Sequence, residues 1–402
     1  MYIILYGPGG GFPNGPASTS RTTLYALGLQ NAGGHVLVLC PGPSEYPNVG
    51  ILNRDVKGNK DGVEFEYTCG TTIHGKNFIR QKWLVLKGLL IAARRILSLN
   101  KTHGVDALIL YSDRGVAILL YWLVAKLGKV KYIYERSEQP FYQAEHSTFW
   151  KIVSFFYTHL LFRLFDGAFV ISDYLWDYMH DRMCHGDNLL KVPILVDVQQ
   201  FSSAKSFSPI SGSYLAYCGS LLEQKDGVRS LMEAFAKMCN EFPDLKLVLI
   251  GDSIKVSQIP TYRLYAKNLT ISEKVVFTGM VARNDLQAYL THASILALAR
   301  PTSRQSEAGF PTKLGEYLAT GKPVLVTKTG EISSYLVDGF NVFFAPPNDV
   351  TAFADRIRYI LLHPEESAEV GRHGQEAALL YFDYRENGQK IKAFIDKLCQ
   401  VN

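Results

Sequence analysis

The sequence lacks the features that mark several common protein classes. Its 402 residues include six cysteines and no Cys-x-x-Cys pair, which favours free thiols in a reducing cytoplasm. The formal net charge is only +5, which is too small to indicate nucleic-acid binding. No uncharged apolar run is long enough to span a bilayer, and the first apolar stretch is too short for a signal peptide. We therefore expect a cytoplasmic protein with no nucleic-acid partner.

Motifs of metal and cofactor chemistry are also missing. The first glycine-rich loop has Phe12 where the dinucleotide fingerprint requires a third glycine, and it lacks the Lys-Ser/Thr ending of a P-loop. The sequence contains no Asp-x-Asp pair and no histidine spacing typical of a metal site. No Ser, His and Asp order indicates a catalytic triad. We expect chemistry without a metal ion or a cofactor.

What the sequence does contain is a regular alternation of short apolar strands and helices. A chain of this length exceeds the size at which single hydrophobic cores stop growing, so two domains are expected. The alternation predicts an α/β fold with two doubly wound Rossmann-like domains. We place the first domain at residues 1–200, a Ser-rich linker at 201–213, the second domain at 214–385, and a C-terminal helix that packs back on the first domain at 386–402.

The segment from Glu307 to Thr327 organises the second domain. Its residues predict a loop, a helix, a turn and a buried strand, with Pro311 in the first helical turn and Gly321 just past the end. A helix opened by a Gly-Phe-Pro bend presents free amides and its positive dipole end, which suits an anion. Glu316 lies inside this helix and Glu307 in the loop before it. Carboxylates beside an anion are expected to accept hydrogen bonds from hydroxyl groups, so the predicted ligand is a sugar nucleotide.

This segment resembles the donor site of the retaining glycosyltransferases of family 4, whose GT-B fold has two domains facing a central cleft. In that family the second glutamate of a Glu-x7-Glu pair holds the ribose, and the first holds the donor sugar. The second glutamate corresponds to Glu316. Glu307 is one residue too early for the first, and Ala308 occupies that position. Either Glu307 reaches the sugar and acts in catalysis, or backbone groups at Ala308 and Gly309 hold the sugar.

The resemblance also assigns the positive charges of the donor site. Lys225 resembles the family lysine that neutralises the donor diphosphate, and it is a candidate catalytic residue. The family often has an arginine where this chain has Ser220, itself a predicted substrate-binding residue. The second positive charge is therefore left to Arg300, Arg304 or Lys313.

Other predicted positions lie in loops that follow strands. The resemblance implies substrate contacts at Met280 and Val281, which would hold the nucleobase, and at the helix start, which comprises Ala308, Gly309, Phe310, Pro311 and Thr312. The amides of Gly309 and Phe310 would face the diphosphate. In the first domain, the glycine-rich loop with Gly9, Gly10 and Gly11 would border the cleft. Arg136 follows a predicted strand at Lys131–Glu135, where charges point toward a cleft, and it is a further catalytic candidate.

The resemblance implies a retaining hexosyltransferase, and the absence of an Asp-x-Asp pair predicts that it needs no metal ion. It would move a sugar from a UDP- or GDP-linked donor to a glycan or lipid-linked acceptor, in the assembly of cell-surface polysaccharides or glycoconjugates. Three alternatives remain: a GT-B-type sugar-nucleotide epimerase, a catalytically inactive sugar-nucleotide-binding protein, and a membrane-binding scaffold. The last would not explain the second domain.

One helical segment, Phe78–Leu99, suggests a further partner. The segment from Lys76 to Lys101, both included, contains seven basic residues and no acidic residue. On a helical wheel Arg80 and Lys87 share a basic face, and Trp83 and several leucines fall largely opposite. This pattern predicts either peripheral contact with an anionic membrane, here the inner face of the cell membrane, or a domain helix with a solvated cationic face.

Overall fold

The computed structural model describes residues 1–7, 11–46, 51–138, 155, 157–201, 207–253 and 256–400. The chain forms two compact units, one made of Met1–Leu195 with Tyr384–Asn402, and the other of Val196–Asp383. Of the predicted linker, residues 202–206 lie outside the described part of the chain. None of the helices in the described ranges is long and apolar enough to cross a membrane.

The first unit is built on a mostly parallel sheet. Its strands are β1 (Tyr2–Tyr6), β2 (His35–Cys40), β3 (Lys57–Lys60), β4 (Val63–Tyr67), β5 (Ala107–Leu110), β6 (Lys131–Arg136), β7 (Gly167–Val170) and β8 (Leu189–Lys191). Its helices are α1 (Ala17–Asn31), α2 (Phe78–His103), α3 (Gly115–Gly128), α4 (Asp173–His180) and, at the end of the chain, α13 (Tyr384–Gln400). Among the described residues the strand order is β3-β4-β2-β1-β5-β6-β7-β8, so the chain reverses direction across the sheet between β1 and β5.

The central strands of this sheet are apolar along their whole length because helices cover both faces. In β5 every residue is buried, and so is β2 after His35. Helix α13 packs on α1 with almost no space between the backbones. A Cβ atom at Gly28 would lie 2.4 Å from the carbonyl oxygen of Tyr384, so only glycine permits this approach.

The second unit repeats the same architecture. Its strands are β9 (Tyr214–Cys218), β10 (Lys246–Ile250), β11 (Val275–Gly279), β12 (Ile295–Leu298), β13 (Val324–Thr327) and β14 (Phe343–Ala345). Its helices are α5 (Glu223–Asp226), α6 (Val228–Met238), α7 (Ile259–Asn268), α8 (Arg283–Thr291), α9 (Arg304–Ala308), α10 (Thr312–Ala319), α11 (Val350–Leu362) and α12 (Pro364–Ala377), followed by a π-helical turn at Ala378–Phe382.

The strand order of this second sheet locates its binding edge. The order in the described residues is β11-β10-β9-β12-β13-β14, with all neighbours parallel. The first three strands step toward one edge of the sheet, and the next three step from β9 toward the other. Ligands of such sheets bind at the carboxyl ends of the strands beside this switch point, here the ends of β9 and β12. The predicted α/β fold with two doubly wound Rossmann-like domains is confirmed.

Candidate active site

The helix at the centre of the predicted donor site is α10. Pro311 precedes its first residue, where a fixed φ and a missing amide are tolerated. The helix ends before Gly321, whose φ of 70° lies in the left-handed region and stops it. The end of the helix agrees with the sequence prediction, whereas Pro311 precedes the first helical turn instead of lying in it.

The segment before α10 differs from the prediction. Glu307 lies in the short helix α9 rather than in a loop, because Ser303 and Ser306 form a reciprocal capping box that starts a helical turn. The amide of Gly309 donates to the carbonyl oxygen of Gln305 at 3.1 Å, so it completes α9. The expectation that this amide opens α10 and faces the diphosphate is wrong.

The side chains of this segment separate into two groups. Ala308, Phe310 and Pro311 are buried, and the ring of Phe310 packs against those of Tyr335 and Phe382. They hold α9 and α10 on the core of the unit. Glu307 is exposed, and Thr312 and Gly309 are half-buried, so any ligand contact from Ala308, Phe310 or Pro311 has to come from the backbone.

The carboxyl ends of β9 and β12 bring two predicted basic residues together. The two strands are neighbours, with Leu215 opposite Ile295. Arg300 follows β12, is 3% exposed, and donates from Nε to the carbonyl oxygen of Lys225 at 3.3 Å. Lys225 lies in α5, the first helix after β9, and has a half-buried side chain. The adjacency of the strands thus accounts for the adjacency of these two residues.

A buried carboxylate, Asp226, accepts hydrogen bonds from two side chains at the carboxyl ends of these strands. Asp226 is 2% exposed, and its Oδ2 accepts hydrogen bonds from the Tyr217 hydroxyl at 2.6 Å and from Lys313 Nζ at 2.7 Å. Burial alone would raise the pKa of Asp226, but the Lys313 ammonium, these hydrogen bonds and the charge of Arg300 hold it below its usual value. Asp226 is therefore a carboxylate at neutral pH.

Lys313 occupies the place beside the end of β9. A Cβ atom at Gly219 would lie 2.4 Å from Lys313 Nζ and 2.3 Å from the Tyr217 hydroxyl. The ammonium group therefore fills the space next to Gly219, the residue before Ser220, at which position the resembling family often has an arginine. Of the candidates for the second positive charge, Lys313 and Arg300 lie at the strand ends, whereas Arg304 is exposed on α9.

Glu316 lies one helical turn after Lys313, so the two side chains share a side of α10. Its Oε1 is 3.0 Å from Nη1 of Arg283, and the side chains are 20% and 50% exposed. Arg283 begins α8 just after the predicted nucleobase contacts, Met280, which is exposed, and Val281, which is half-buried. The structure thus connects the predicted ribose position with the predicted nucleobase loop through an arginine.

Sequence reasoning assigned no role to Asp226, Tyr217 or Arg283. The sequence held one signal for Asp226, an acidic residue directly after the predicted diphosphate lysine. Its pairing with Lys313 joins residues 87 positions apart, which no local pattern reveals.

In the first unit, polar side chains gather at the ends of β5 and β6. The guanidinium group of Arg136 forms an ion pair with Asp113, which also accepts a hydrogen bond from the Tyr134 hydroxyl at 2.7 Å. Nε of Arg136 is buried and has no hydrogen-bond partner among the residues that the structure describes. Glu135 pairs with Arg21 at 2.6 Å.

The glycine-rich loop is described only in part. The carbonyl oxygen of Gly11 accepts a hydrogen bond from the Thr19 hydroxyl at 2.7 Å, whereas Gly9 and Gly10 lie outside the described residues. In the described part of the chain, no group of three or more His, Cys, Asp or Glu side chains could hold a metal ion.

Comparison with known proteins identifies the second unit. The sequence profile of the family "Glycosyl transferases group 1" matches residues 199–377, which is nearly the whole unit. Residues 199–377 are therefore similar to this family, and we refer to them as the glycosyl transferases group 1 domain. The residues around Asp226 and all of α10 fall within this domain.

Curated relatives match over a similar length. The chain is 26% identical over 179 residues to a GDP-mannose-dependent alpha-(1-6)-phosphatidylinositol monomannoside mannosyltransferase of Mycolicibacterium smegmatis, covering 43% of this chain and 45% of the relative. It is 29% identical over 155 residues to an N-acetyl-alpha-D-glucosaminyl L-malate synthase of Bacillus anthracis, covering 39% and 38%. The matches thus span less than half the length of these relatives.

Solved structures extend the similarity beyond the glycosyl transferases group 1 domain. A sucrose-phosphate synthase from Thermosynechococcus elongatus superposes over 100% of both chains with a TM-score of 0.74 at 15% identity. Anabaena HepE, solved in complex with UDP-glucose, covers 98% of this chain and 99% of its own with a TM-score of 0.69 at 15% identity. At this identity the likeness establishes the fold, which is GT-B.

Proposed function

We propose that this protein is a glycosyltransferase that moves a sugar from a nucleotide-sugar donor to an acceptor. The observation that carries the proposal is the group of basic residues at the ends of β9 and β12, namely Lys225, Arg300 and Lys313, with Glu316 one turn further along α10. This group lies at the switch point of the sheet and within the glycosyl transferases group 1 domain.

The charges of the group suit the chemistry of sugar transfer. When the bond between sugar and nucleotide breaks, negative charge develops on the departing diphosphate and has to be stabilised where it forms. Lys225 and Lys313 would supply this stabilisation without a metal ion, and Arg300, which is hydrogen-bonded to the backbone of Lys225, would add its positive charge. We therefore propose metal-independent transfer, and by family resemblance retention of the anomeric configuration through attack on the face from which the diphosphate departs.

Glu316 and Glu307 would bind the ribose and the donor sugar, respectively. Glu316 is fixed on a helix and would accept hydrogen bonds from the ribose hydroxyls, exchanging its Arg283 contact for them. Glu307 is exposed on α9, from where it would reach the donor sugar; the backbone at Ala308 and Gly309 is the alternative contact.

The donor and acceptor classes rest on the similar proteins. One relative is named as GDP-mannose-dependent, and Anabaena HepE was solved with UDP-glucose, so we propose a UDP- or GDP-linked hexose donor. One relative carries a phosphatidylinositol mannoside in its name, which favours a lipid-linked or glycan acceptor and a role in cell-surface glycoconjugate assembly.

A donor panel tests the proposal. The purified protein is incubated with UDP- and GDP-linked sugars, with and without lipid-linked acceptors, and release of nucleoside diphosphate is measured. We expect release that depends on one donor and increases with acceptor. Conversion of the donor sugar without release would identify an epimerase, and nucleotide binding without turnover an inactive binding protein.

We also propose that α2 contacts an anionic membrane surface, because its solvent-facing side is apolar as well as basic. Ile79, Trp83, Leu86 and Leu90 are 80%, 62%, 45% and 49% exposed. Trp83 and several leucines were expected opposite the basic face, but Trp83, Leu86 and Leu90 are exposed. The buried face of α2 consists of Gly88, Leu89, Ala92, Ala93, Ile96 and Leu99. The exposed apolar residues instead form a stripe directly beside the basic residues, which is the arrangement of a helix that lies in a bilayer interface.

Vesicle flotation tests this contact. The wild-type protein should float with vesicles that contain phosphatidylglycerol and remain behind with pure phosphatidylcholine, because binding needs both apolar insertion and charge. Trp83→Ser should weaken flotation, whereas Leu264→Ser, which changes an equally exposed residue of α7, should not. Equal flotation of both variants with the wild type would contradict membrane contact through α2.

A further inference from the structure

Lys313 differs from an ordinary surface lysine because its ammonium group is fixed on several sides. Nζ donates to Asp226 Oδ2 at 2.7 Å and to the Tyr217 hydroxyl at 3.3 Å, and it lies 4.6 Å from the centre of the Tyr217 ring. The Lys313 side chain is only 16% exposed, and that of Asp226 is 2% exposed. A long flexible side chain loses considerable conformational entropy in such a position, so the arrangement requires a stabilising partner.

Asp226, the partner of Lys313, is itself held in place by the sheet and by α5. Tyr217 belongs to β9, and its hydroxyl donates to Asp226 at 2.6 Å. Asp226 ends α5, whose preceding residue Lys225 accepts the hydrogen bond from Arg300. The position of Lys313 Nζ is therefore fixed by β9, which is the strand beside the switch point, and by α5, which follows that strand.

The charge balance of the group fits a diphosphate. Lys225, Arg300 and Lys313 each carry one positive charge, and Asp226 carries one negative charge. The group therefore has a net charge of two positive units, which matches the two negative charges of a diphosphate diester such as a nucleotide sugar. Because Asp226 is almost fully buried, it is shielded from direct contact with a ligand in solution.

We propose that Asp226 is a positioning residue of the donor site: it holds the Lys313 ammonium beside Gly219, so that Lys313 supplies the second cation for the donor diphosphate. This role replaces the arginine that the resembling family often has at the position of Ser220. The inference rests on the proposed function, because it requires that a nucleotide sugar binds at the ends of β9 and β12.

Titration calorimetry with UDP, GDP and the corresponding nucleosides tests the inference. Lys313→Met should weaken nucleoside diphosphate binding at least about tenfold, as expected for a lost charge-assisted hydrogen bond, and leave nucleoside binding unchanged. Asp226→Asn should weaken it in the same selective way because the ammonium is no longer held. The double variant Asp226→Asn/Lys313→Met removes both charges of this pair, and it should bind no more weakly than Lys313→Met alone, since Asp226 acts through Lys313.

The controls separate the possible outcomes. Lys274→Met removes a lysine whose Nζ is also hydrogen-bonded, to the Cys239 carbonyl oxygen at 2.6 Å, but at the amino end of β11; it should leave nucleoside diphosphate binding unchanged. Tighter diphosphate binding by Asp226→Asn would mean that Asp226 only neutralises charge, and it would overturn the positioning role. A loss of diphosphate affinity that is accompanied by an equal loss of nucleoside affinity, or by a loss of thermal stability, would also overturn it. If the wild-type protein binds neither diphosphate, the proposed function fails, and this inference fails with it.

Discussion

Replacing Glu316 by alanine separates a binding role from a structural one. The side chain is 20% exposed and its partner Arg283 is 50% exposed, so the ion pair contributes at most about 1 kcal/mol to stability. A carboxylate that accepts ribose hydroxyls contributes about 1.5–3 kcal/mol per hydrogen bond. Glu316→Ala should therefore weaken nucleoside diphosphate binding by a factor of about 10–150, with little change in the melting temperature.

The assay is calorimetric titration of UDP and GDP, combined with thermal unfolding of the same samples. Glu369→Ala is the matched control, because Glu369 is also a helical glutamate of the second unit paired with an arginine, Arg372, at 3.5 Å. It should change neither quantity. Unchanged diphosphate affinity of Glu316→Ala, with donor binding intact in the wild type, would refute the ribose role.

Glu307→Ala completes the comparison. Nucleoside diphosphate lacks the donor sugar, so its affinity should stay almost unchanged, whereas turnover should fall if Glu307 contacts the sugar. Unchanged turnover would assign the sugar contact to the backbone at Ala308 and Gly309. Equal effects on affinity and turnover in both glutamate variants would contradict the division of labour between them.

Three further predictions concern charge. Lys225→Ala should reduce turnover by about tenfold or more, because a charged hydrogen bond to the leaving group is lost; near-normal turnover with unchanged nucleotide affinity, measured by diphosphate release and titration, would remove Lys225 from the site. Activity should survive EDTA, and complete loss restored by Mg²⁺ or Mn²⁺ would contradict metal-independent transfer. The lowered pKa of Asp226 means that its contribution to the free energy of unfolding is present above the ordinary carboxyl pKa of about 3.9 and lost as the pH falls through the lower folded-state value. Denaturant titrations should therefore show a stability difference between wild type and Asp226→Asn that shrinks below about pH 4; a difference independent of pH would contradict the ion pair.

The central strands could be predicted from the sequence because burial on both faces makes them continuous apolar runs. β1 (Tyr2–Tyr6) and β9 (Tyr214–Cys218) are two such runs. The edge strand β3 could not be predicted, because its four residues are all exposed and carry no hydrophobic period. It forms a strand only because it pairs antiparallel with β4, a contact that lies outside its own sequence.

The candidate site divides in the same way. Glu316 and Lys225 could be proposed as site residues, and the end of α10 could be predicted, because each motif lies within a short stretch of chain. The capping box that turns the region of Glu307 into a helix was present in the sequence as Ser303 and Ser306, but no role was assigned to it. The contact between Asp226 and Lys313 depends on the pairing of β9 with β12 and on the placement of α10 at their ends, so it emerges only from the tertiary fold.

The most direct test of the proposed transfer reaction is an assay that detects the glycosylated acceptor by mass spectrometry, with wild type, Lys225→Ala, Lys313→Met and Lys274→Met in parallel. We expect the wild type to add one hexose to a lipid-linked or glycan acceptor and to release an equal amount of nucleoside diphosphate from a UDP- or GDP-linked donor. Both lysine variants should form far less product, and Lys274→Met as much as the wild type. Binding of no nucleotide sugar by the wild type, or transfer at the same rate by all four proteins, would contradict it.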